Sequence, residues 1–160
     1  MSGEIILQSE CAVTERRISS MDESTIENVH KLQDYLLKYP QTKIPTSHLI
    51  HAGMYARTVM VPAGVMLVGS LMKVATILIL SGSFVIYVDD EPIRLDGYNV
   101  FYGQANRKQA GVAISDTYVT MIFTTNAHSV FDAENEFTDE ASLLASRHED
   151  SINHICVTGV

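Results

Sequence analysis

Tyr55 and Arg57 are the first two residues whose types and spacing point to chemistry. They lie two positions apart in a run that is typical of a β-strand, so their side chains project from the same face. A guanidinium group offers a fork of donors that matches a carboxylate or a phosphate. If this face lies inside a barrel, the pair predicts recognition of an anion. The alternative is that Arg57 forms a structural ion pair, with Asp116 as the candidate acid.

Ser70, Met72, Val74 and Thr76 form a second set, because alternate residues of an extended segment share one face. If they face inward, they line a pocket that is apolar apart from two hydroxyl groups. The flexible methionine side chain suits an irregular ligand. The sequence leaves open the alternative that these side chains fill the barrel and leave no cavity.

A third set combines aromatic rings, an amide and positive charge, and we expect it near one mouth of the barrel. Rings stack on planar ligands, while amides and cations contact phosphate or carboxylate groups. This mixture is typical of a site for a nucleotide or another planar anion. The alternative is that these are ordinary surface tyrosines and basic turn residues. The set consists of Tyr87, Tyr98, Tyr102, Gln104, Arg107 and Lys108.

Metal ligands are missing from the central part of the sequence, because residues 65–127 contain no histidine. Imidazole and carboxylate groups bind catalytic divalent ions, and apolar or hydroxyl side chains are poor substitutes. The tail segment His154-Ile-Cys156 lacks the compact spacing of a structural zinc site. We therefore expect no metal, no cofactor and no catalytic residue. The remaining histidines are interpreted as exposed, interface or helix-face residues: His30, His48, His51, His128 and His148.

The chain has 160 residues, of which 46% are hydrophobic, so one domain can bury a core without disulfide bonds. A net charge of −8 argues against general nucleic-acid binding, which needs clustered Lys and Arg. Cys11 and Cys156 are interpreted as two free thiols of a cytosolic protein. Because no secretion leader opens the sequence and no apolar run spans a bilayer, we expect a cytoplasmic protein without membrane contact.

Apolar periodicity predicts the elements that position these sets. Three- and four-residue steps predict a helix over 22–38, with a capping box at Ser20-Met-Asp-Glu23. Turn residues then separate nine short predicted strands, which indicates a closed or double-sheet β architecture. The predicted strands are 48–52, 54–61, 65–72, 74–80, 83–89, 92–95, 98–102, 107–114 and 117–125.

The two ends of the chain lie outside these strands. We divide the chain into an N-terminal arm and helix at 1–47, a barrel at 48–127, and a C-terminal helix and tail at 128–160. Thr138 is expected to cap a short C-terminal helix, and 152–160 is expected to add an edge strand on this molecule or on a neighbour. Open edges and terminal arms predict a homo-oligomer.

Residues 48–140 resemble the small cupin-like proteins that are common in bacteriophage genomes. The resemblance is carried by His51-Ala-Gly-Met-Tyr55-Ala-Arg57, a Pro62-Ala-Gly64 turn, Val68-Gly69 and Asp116-Thr117. It implies a mainly β fold, a cupin-like double-stranded β-helix or jelly-roll barrel, with an N-terminal helix and a short C-terminal helix.

The sequence departs from this family at the metal ligands. Many relatives have a Val-Gly pair followed, two residues later, by His-Lys-x-Glu-His. Here Met72 and Val74 stand where histidines are expected, Ala75 replaces the glutamate and Thr76 replaces the last histidine. The second motif reads Gly103-Gln-Ala-Asn-Arg107-Lys108, again without histidine. The resemblance therefore implies a barrel that has lost its metal-dependent activity.

Three functional hypotheses remain open. In the first, a non-catalytic, metal-free barrel holds a small anionic ligand, such as a signalling nucleotide of the host cytoplasm, and sequesters it through residues that include Tyr55 and Arg57. In the second, a filled barrel serves as a scaffold, and the terminal segments 1–20 and 147–160 reach onto neighbours in a virion. In the third, the chain is a divergent cupin enzyme with acid–base groups placed elsewhere. The first is the primary hypothesis.

Overall fold

The computed structural model describes residues 17–88 and 91–159. The helices in these residues are α1 (Glu23–Leu36) and α2 (Val130–Phe137), with 3-10 turns at Ala141–Leu143 and Ala145–Arg147. The strands are β1 (Arg17–Ile18), β2 (Thr46–His51), β3 (Met54–Val61), β4 (Met66–Val68), β5 (Thr76–Val88), β6 (Glu91–Gly103), β7 (Ala110–Ala113), β8 (Thr117–Thr124) and β9 (Asn153–Thr158).

Seven strands lie side by side in the order β1-β6-β5-β8-β3-β2-β9, while β7 pairs with both β4 and β5. Strand β5 pairs with β8 through its first half, at 77–81, and with β7 through its second half, at 84–86. A strand that exchanges partners in this way belongs to two packed sheets. The predicted fold class, a mainly β jelly roll with an N-terminal helix and a short C-terminal helix, is confirmed.

Two predicted turns are wrong, because β5 and β6 run through them. The sequence predicted breaks at Ser81-Gly82 and Asp96-Gly97, yet Gly82 and Gly97 pair with each other within one long hairpin. Gly82 has a φ of +146°, and a Cβ there would lie 2.4 Å from the Thr117 hydroxyl oxygen. The glycine therefore marks the place where β5 passes close to β8, rather than the end of a strand.

Helix α1 confirms the predicted N-terminal helix, but its cap differs from the prediction. The Asp22 carboxylate accepts a hydrogen bond from the Thr25 N–H at 2.8 Å. This bond makes Asp22 the N-cap, in place of the predicted capping box that begins at Ser20. Within α1, whose residues are all described, no side chain is buried. The predicted apolar stripe is therefore only partly covered by the barrel.

The C-terminal segment contributes one helix and one strand. The Ser129 side chain caps α2, and Thr138 ends that helix. The predicted helix that begins at Thr138 is wrong, because the following residues form 3-10 turns. Strand β9 pairs in parallel with β2 along its whole length, so an edge strand within the predicted range is confirmed over Asn153–Thr158 and lies on this molecule.

Two clusters of buried apolar side chains form the core. The smaller cluster joins β3, β5 and β7 and consists of Val61, Leu80, Phe84 and Ala113. The larger cluster joins β2, β3 and β8 to the C-terminal segment, and consists of Ile50, Tyr55, Met121, Phe123, Ala127, Ala133, Phe137, Ala141 and Leu144. Residues 130–144 therefore contribute four side chains to the core: Ala133, Phe137, Ala141 and Leu144. Among the described helices, none is long and apolar enough to cross a membrane.

Candidate functional site

Tyr55 and Arg57 both lie on the inner face of β3, as their spacing predicted. Tyr55 is fully buried and Arg57 is 9% exposed. The Tyr55 ring packs against Phe123 at 5.5 Å and against Phe137 at 6.4 Å between ring centroids. Since aromatic rings pack favourably at such separations, these contacts occupy the space beside the phenol that a ligand would need.

Arg57 forms a buried ion pair with Glu134 of helix α2. Its Nη1 donates to Glu134 Oε1 at 2.8 Å, and its Nη2 donates to the Ser146 hydroxyl oxygen at 3.1 Å. The expected alternative partner, Asp116, is wrong, because its carboxylate accepts instead from the Ala63 N–H at 2.9 Å. The anion that the Arg57 side chain requires is therefore supplied by the chain itself.

Glu134 is held in its ionised form by three neighbours. The Arg147 Nε donates to Glu134 Oε2 at 2.7 Å, and the Ser146 hydroxyl donates to Oε1. Burial by itself disfavours the charged carboxylate, but the bonds from Ser146 and Arg147 and the charge of Arg57 outweigh it, so the pKa of Glu134 is lowered. The result is one carboxylate between two guanidinium groups.

His48 is buried beside Tyr55, which corrects its interpretation as an exposed or interface residue. Its Nδ1 lies 2.7 Å from the Tyr55 hydroxyl, and its Nε2 lies 2.8 Å from Asn153 Oδ1. The Asn153 amide nitrogen donates to the Ser146 carbonyl, so its oxygen must accept from Nε2. The Tyr55 hydroxyl therefore donates a hydrogen bond to Nδ1 of the neutral imidazole. Burial lowers the pKa of His48 and raises the pKa of Tyr55.

Arg107 is buried, although the sequence placed it at a barrel mouth. Its Nη2 donates to the Thr76 hydroxyl at 2.6 Å, and its Nη1 donates to the Val74 and Gln104 carbonyls. The guanidinium rests on Gly103, where a Cβ would lie 2.5 Å from Arg107 Cζ. Burial lowers the pKa of Arg107 to about 10. In the described part of the chain, its partners are neutral oxygens.

Lys108 is also buried, and it has a carboxylate partner. Its Nζ donates to Glu140 Oε2 at 2.8 Å. The same carboxylate accepts from the Leu71 N–H at 2.8 Å and contacts His30 of α1. Burial opposes ionisation, yet the bonds from Lys108, Leu71 and His30 lower the pKa of Glu140. Glu140 thus links the barrel to the N-terminal helix.

The second predicted set divides between packing and hydrogen bonding. Met72 and Val74 pack against the larger apolar cluster. The hydroxyl of Thr76 accepts from Arg107. Ser70 is half-buried in the loop before β5. These positions support the filled-barrel alternative, because Met72, Val74 and Thr76 use their side chains for packing or for a hydrogen bond within the chain.

The third predicted set does not gather at one mouth. Tyr102 lies opposite Ile77 near the start of β5, whereas Tyr87 lies opposite Pro92 at the far end of the same hairpin. Tyr87 and Tyr98 are exposed. The prediction of a shared mouth is therefore wrong for Tyr87, because β5 is one continuous strand. Gln104 uses its backbone N–H to bond the Ile18 carbonyl at 2.9 Å.

The sequence analysis did not single out Glu134 and Glu140, which belong to the acidic run at 132–140. A signal was present. Buried positions Ala133, Glu134 and Phe137 recur at one- and four-residue steps, so Glu134 shares the apolar face of α2. A carboxylate on such a face requires a buried cation, and Arg57 was the available candidate on the inner face.

The described residues offer few other sites. Residues 17–88 and 91–159 contain no group of three or more His, Cys, Asp or Glu side chains that could hold a metal ion. One shallow groove has a volume of about 410 Å³ and lies on β2, β3 and β9. Neither Arg57 nor Lys108 lines this groove. Its lining residues are Ser47, His48, Leu49, Ala56, Thr58, His154, Ile155 and Cys156.

No protein-family profile and no curated protein matches the sequence. Solved structures with a similar fold include a cupin superfamily protein from Desulfitobacterium hafniense, which is 18% identical over 57% of this chain and 86% of its own, with a TM-score of 0.46. An RmlC-like cupin family protein with a double-stranded β-helix fold, from Methanocaldococcus jannaschii, is 16% identical over 53% of this chain and 83% of its own, with a TM-score of 0.44.

A third neighbour is an enzyme. Salicylate 1,2-dioxygenase from Pseudoaminobacter salicylatoxidans is 10% identical over 83% of this chain and 40% of its own, with a TM-score of 0.47. At these identities the likeness concerns the fold alone, and the neighbours neither require nor exclude an enzymatic activity for this chain.

Proposed function

We propose that this protein is a non-catalytic structural module, a filled barrel that serves as a scaffold in a protein assembly. One observation carries the proposal: side chains of the C-terminal segment cover the inner face of β3 and β8. Phe137 packs against both Tyr55 and Phe123, and Glu134 neutralises Arg57 in the same region. Because the inward-facing side chains already contact the C-terminal segment, they stabilise the fold and are not free to bind a ligand.

The charges of the interior support this proposal over the ligand-binding hypothesis. Two of the three predicted cationic contacts already have a carboxylate, since Arg57 pairs with Glu134 and Lys108 pairs with Glu140. An anionic ligand at Arg57 would have to displace Glu134, which would leave a buried carboxylate without that partner. Breaking a buried pair costs about 3–5 kcal/mol, so a ligand needs that much additional binding energy.

Access also supports a non-catalytic role. His48 and Tyr55 are an imidazole and a phenol within hydrogen-bond distance, the geometry that proton transfer requires. However, His48 is 2% exposed and Tyr55 is fully buried. Tyr55 belongs to the larger apolar cluster, so a substrate cannot reach the phenol without opening that cluster, and the hydrogen bond is best explained as a contact between β2 and β3.

The type of assembly is suggested by the resemblance of residues 48–140 to bacteriophage cupin-like proteins. We propose a virus particle, or an intermediate in its construction, as the setting in which the scaffold acts. In that setting the barrel provides rigidity, and the exposed faces and edges of the sheet provide contacts.

The proposal is tested by titration calorimetry of the untagged full chain against nucleotides, phosphate and dicarboxylates, together with elemental analysis for transition metals. We expect no saturable heat and no stoichiometric metal. A nucleotide that binds the wild type and loses at least tenfold in affinity in Arg57→Lys would overturn the proposal. Arg57→Lys keeps the charge but removes the guanidinium fork. A stoichiometric metal ion would overturn it as well.

Binding of a small anion is the second candidate, and Arg107 is the observation that favours it. This guanidinium is 2% exposed, and its described partners are a hydroxyl and carbonyl oxygens rather than a carboxylate. Tyr102 and Gln104 lie near it in sequence and are only half-buried. If this candidate is correct, one ligand of the same panel will bind, and Tyr102→Ala or Gln104→Ala will weaken it at least tenfold.

A further inference from the structure

Strand β9 is an unprotected edge of the main sheet. Among residues 17–88 and 91–159 it pairs with β2 alone. Sheet edges attract further strands unless charged residues, prolines or bulges protect them. The strand Asn-His-Ile-Cys-Val-Thr contains no Asp, Glu, Lys, Arg or Pro, and its pairing with β2 has no bulge. Nothing in the sequence of β9 therefore prevents the addition of another strand.

The register of β9 on β2 determines which backbone groups face outward. The Thr46 N–H donates to the Ile152 carbonyl at 2.9 Å, and Thr46 lies opposite Asn153. In a parallel pair with this pattern, Ile152 and His154 direct their backbone N–H and carbonyl groups toward β2. Asn153 lies between them and directs its backbone groups away from β2. The N–H and carbonyl groups of Asn153, Ile155 and Val157 therefore point toward the open edge.

Two of the side chains along this edge are large and apolar. Ile155 is 60% exposed and Val157 is 39% exposed. On the opposite face, the exposed free thiol of Cys156 lies beside Leu49, which is 44% exposed. The whole chain carries a net charge of −8, so two copies repel each other through most of their surface. An uncharged strand offers a contact that avoids this repulsion.

We propose that β9 pairs antiparallel with β9 of a second copy, around a two-fold axis. A second copy fits because the register that places Ile155 opposite Val157 also places Val157 opposite Ile155, so two apolar pairs form together. These residues have the outward backbone groups, so both pairs are hydrogen-bonded. The dimer is independent of whether the barrel interior binds a ligand.

This register predicts the position of Cys156 in the dimer. It lies opposite Cys156 of the second copy, in a non-hydrogen-bonded pair with Cα atoms about 4.5 Å apart. That separation is within the range that a disulfide bond can join. His154 in turn lies opposite Thr158 of the second copy, so residue 154 does not meet its own copy.

The test uses the full chain with Cys11→Ser, so that Cys156 is the one thiol left in the sequence. We expect light scattering to give twice the mass of one chain, and mild oxidation to give a disulfide-linked dimer. Ile155→Pro removes an outward N–H without removing a bond to β2, and we expect a monomer. Ile155→Thr keeps the N–H and is the matched control, expected to remain dimeric.

Further variants distinguish a loss of dimerisation from misfolding, and the proposed register from other registers. Circular dichroism shows whether Ile155→Pro is folded, and if it is not, Val157→Lys is used, which places a charge opposite Ile155 and is also expected to give a monomer. In a Cys11→Ser, Cys156→Ser background, His154→Cys is expected to give no cross-link. Cross-linking at residue 154 would overturn the register, and with it the proposal.

A monomeric mass for the wild type would overturn the proposal, as would a dimer that persists in the folded edge variants. A monomer that dimerises only after deletion of residues 1–16 would show that the N-terminal arm covers β9, which also contradicts it. None of these results bears on the binding measurements above. Failure of the dimer and failure of the scaffold proposal are therefore distinguishable.

Discussion

The Nη1 atom of Arg57 lies 2.8 Å from Oε1 of Glu134, and the two residues are 77 positions apart in the chain. Both side chains are nearly inaccessible to water, at 10% and 2% exposure. This contact joins β3 of the barrel to α2 of the C-terminal segment. Since Glu134 also binds Arg147, one carboxylate ties the end of the chain to the barrel interior.

Replacing Glu134 with glutamine is expected to destabilise the protein strongly. The change leaves Arg57 buried without its opposite charge and also removes the ion pair with Arg147. Removing one partner of a buried pair costs about 3–5 kcal/mol of unfolding free energy. Urea denaturation of the purified chain measures this loss.

The control for that variant is Glu149→Gln, which makes the same chemical change at an exposed position. Surface substitutions of this kind change the unfolding free energy by about 0.5 kcal/mol or less. Equal effects of the two changes would contradict a stabilising role for the buried pair.

Acid is expected to weaken the fold through the same carboxylate. The pKa of Glu134 is lowered from its ordinary value of 4.5, so the unfolded chain takes up a proton at this residue before the folded chain does. Stability is therefore complete above the ordinary pKa and falls as the pH drops below about 5 toward the folded pKa. Urea midpoints measured at a series of acidic pH values test this direction.

Glu134→Gln provides the comparison for the acid experiment, because the amide does not titrate. We expect its pH dependence to be flatter than that of the wild type. Some dependence remains, since the pKa of Glu140 is also lowered. If the urea midpoint depended on pH identically in the two proteins, the pKa of Glu134 would be the same in the folded and unfolded states, which would contradict this prediction.

Phe137→Ala tests whether the barrel interior is filled as described. The ring is 2% exposed and packs between Tyr55 and Phe123, so its loss leaves a cavity that the aromatic neighbours cannot close. We expect a loss of about 3–5 kcal/mol in unfolding free energy.

Phe131→Ala is the matched control for that cavity, because Phe131 belongs to the same helix and is 62% exposed. Its ring contacts the Arg147 guanidinium at 4.2 Å, a contact worth about 0.5–1 kcal/mol at an exposed site. If both changes cost the same, the interior is not the packed core that the structure describes.

Local periodicity was sufficient to predict which residues of β3 share a face and where α1 lies. The alternation in 54–61 correctly placed Tyr55 and Arg57 on one face, and the apolar steps before Pro40 predicted α1. The breaks predicted at Gly82 and Gly97 failed because a glycine can bend a strand as well as end it. Whether a glycine ends a strand or lies within it is shown here only by the pairing of Gly82 with Gly97 across the hairpin.

The candidate site could be predicted only in part, because its acidic half is distant in sequence. Arg57 was found from residue type and face, and Lys108 from residue type alone, whereas Glu134 and Glu140 reach them from 77 and 32 positions away. A local sequence pattern cannot predict which carboxylate forms an ion pair with which cation. The burial of His48 depends likewise on Asn153, which is brought to it by β9.

Gly103→Ala is expected to destabilise the protein through the buried guanidinium of Arg107. A Cβ at residue 103 would lie 2.5 Å from Arg107 Cζ, so the side chain must leave its bonds to Thr76 and the neighbouring carbonyls. Overpacking of this kind costs about 1–3 kcal/mol. Gly69→Ala is the control, because its Cβ would meet its nearest neighbour, the Gln109 carbonyl, at 3.4 Å. Thermal unfolding of both variants measures the difference, and a Gly103→Ala protein as stable as Gly69→Ala would contradict the described position of Arg107.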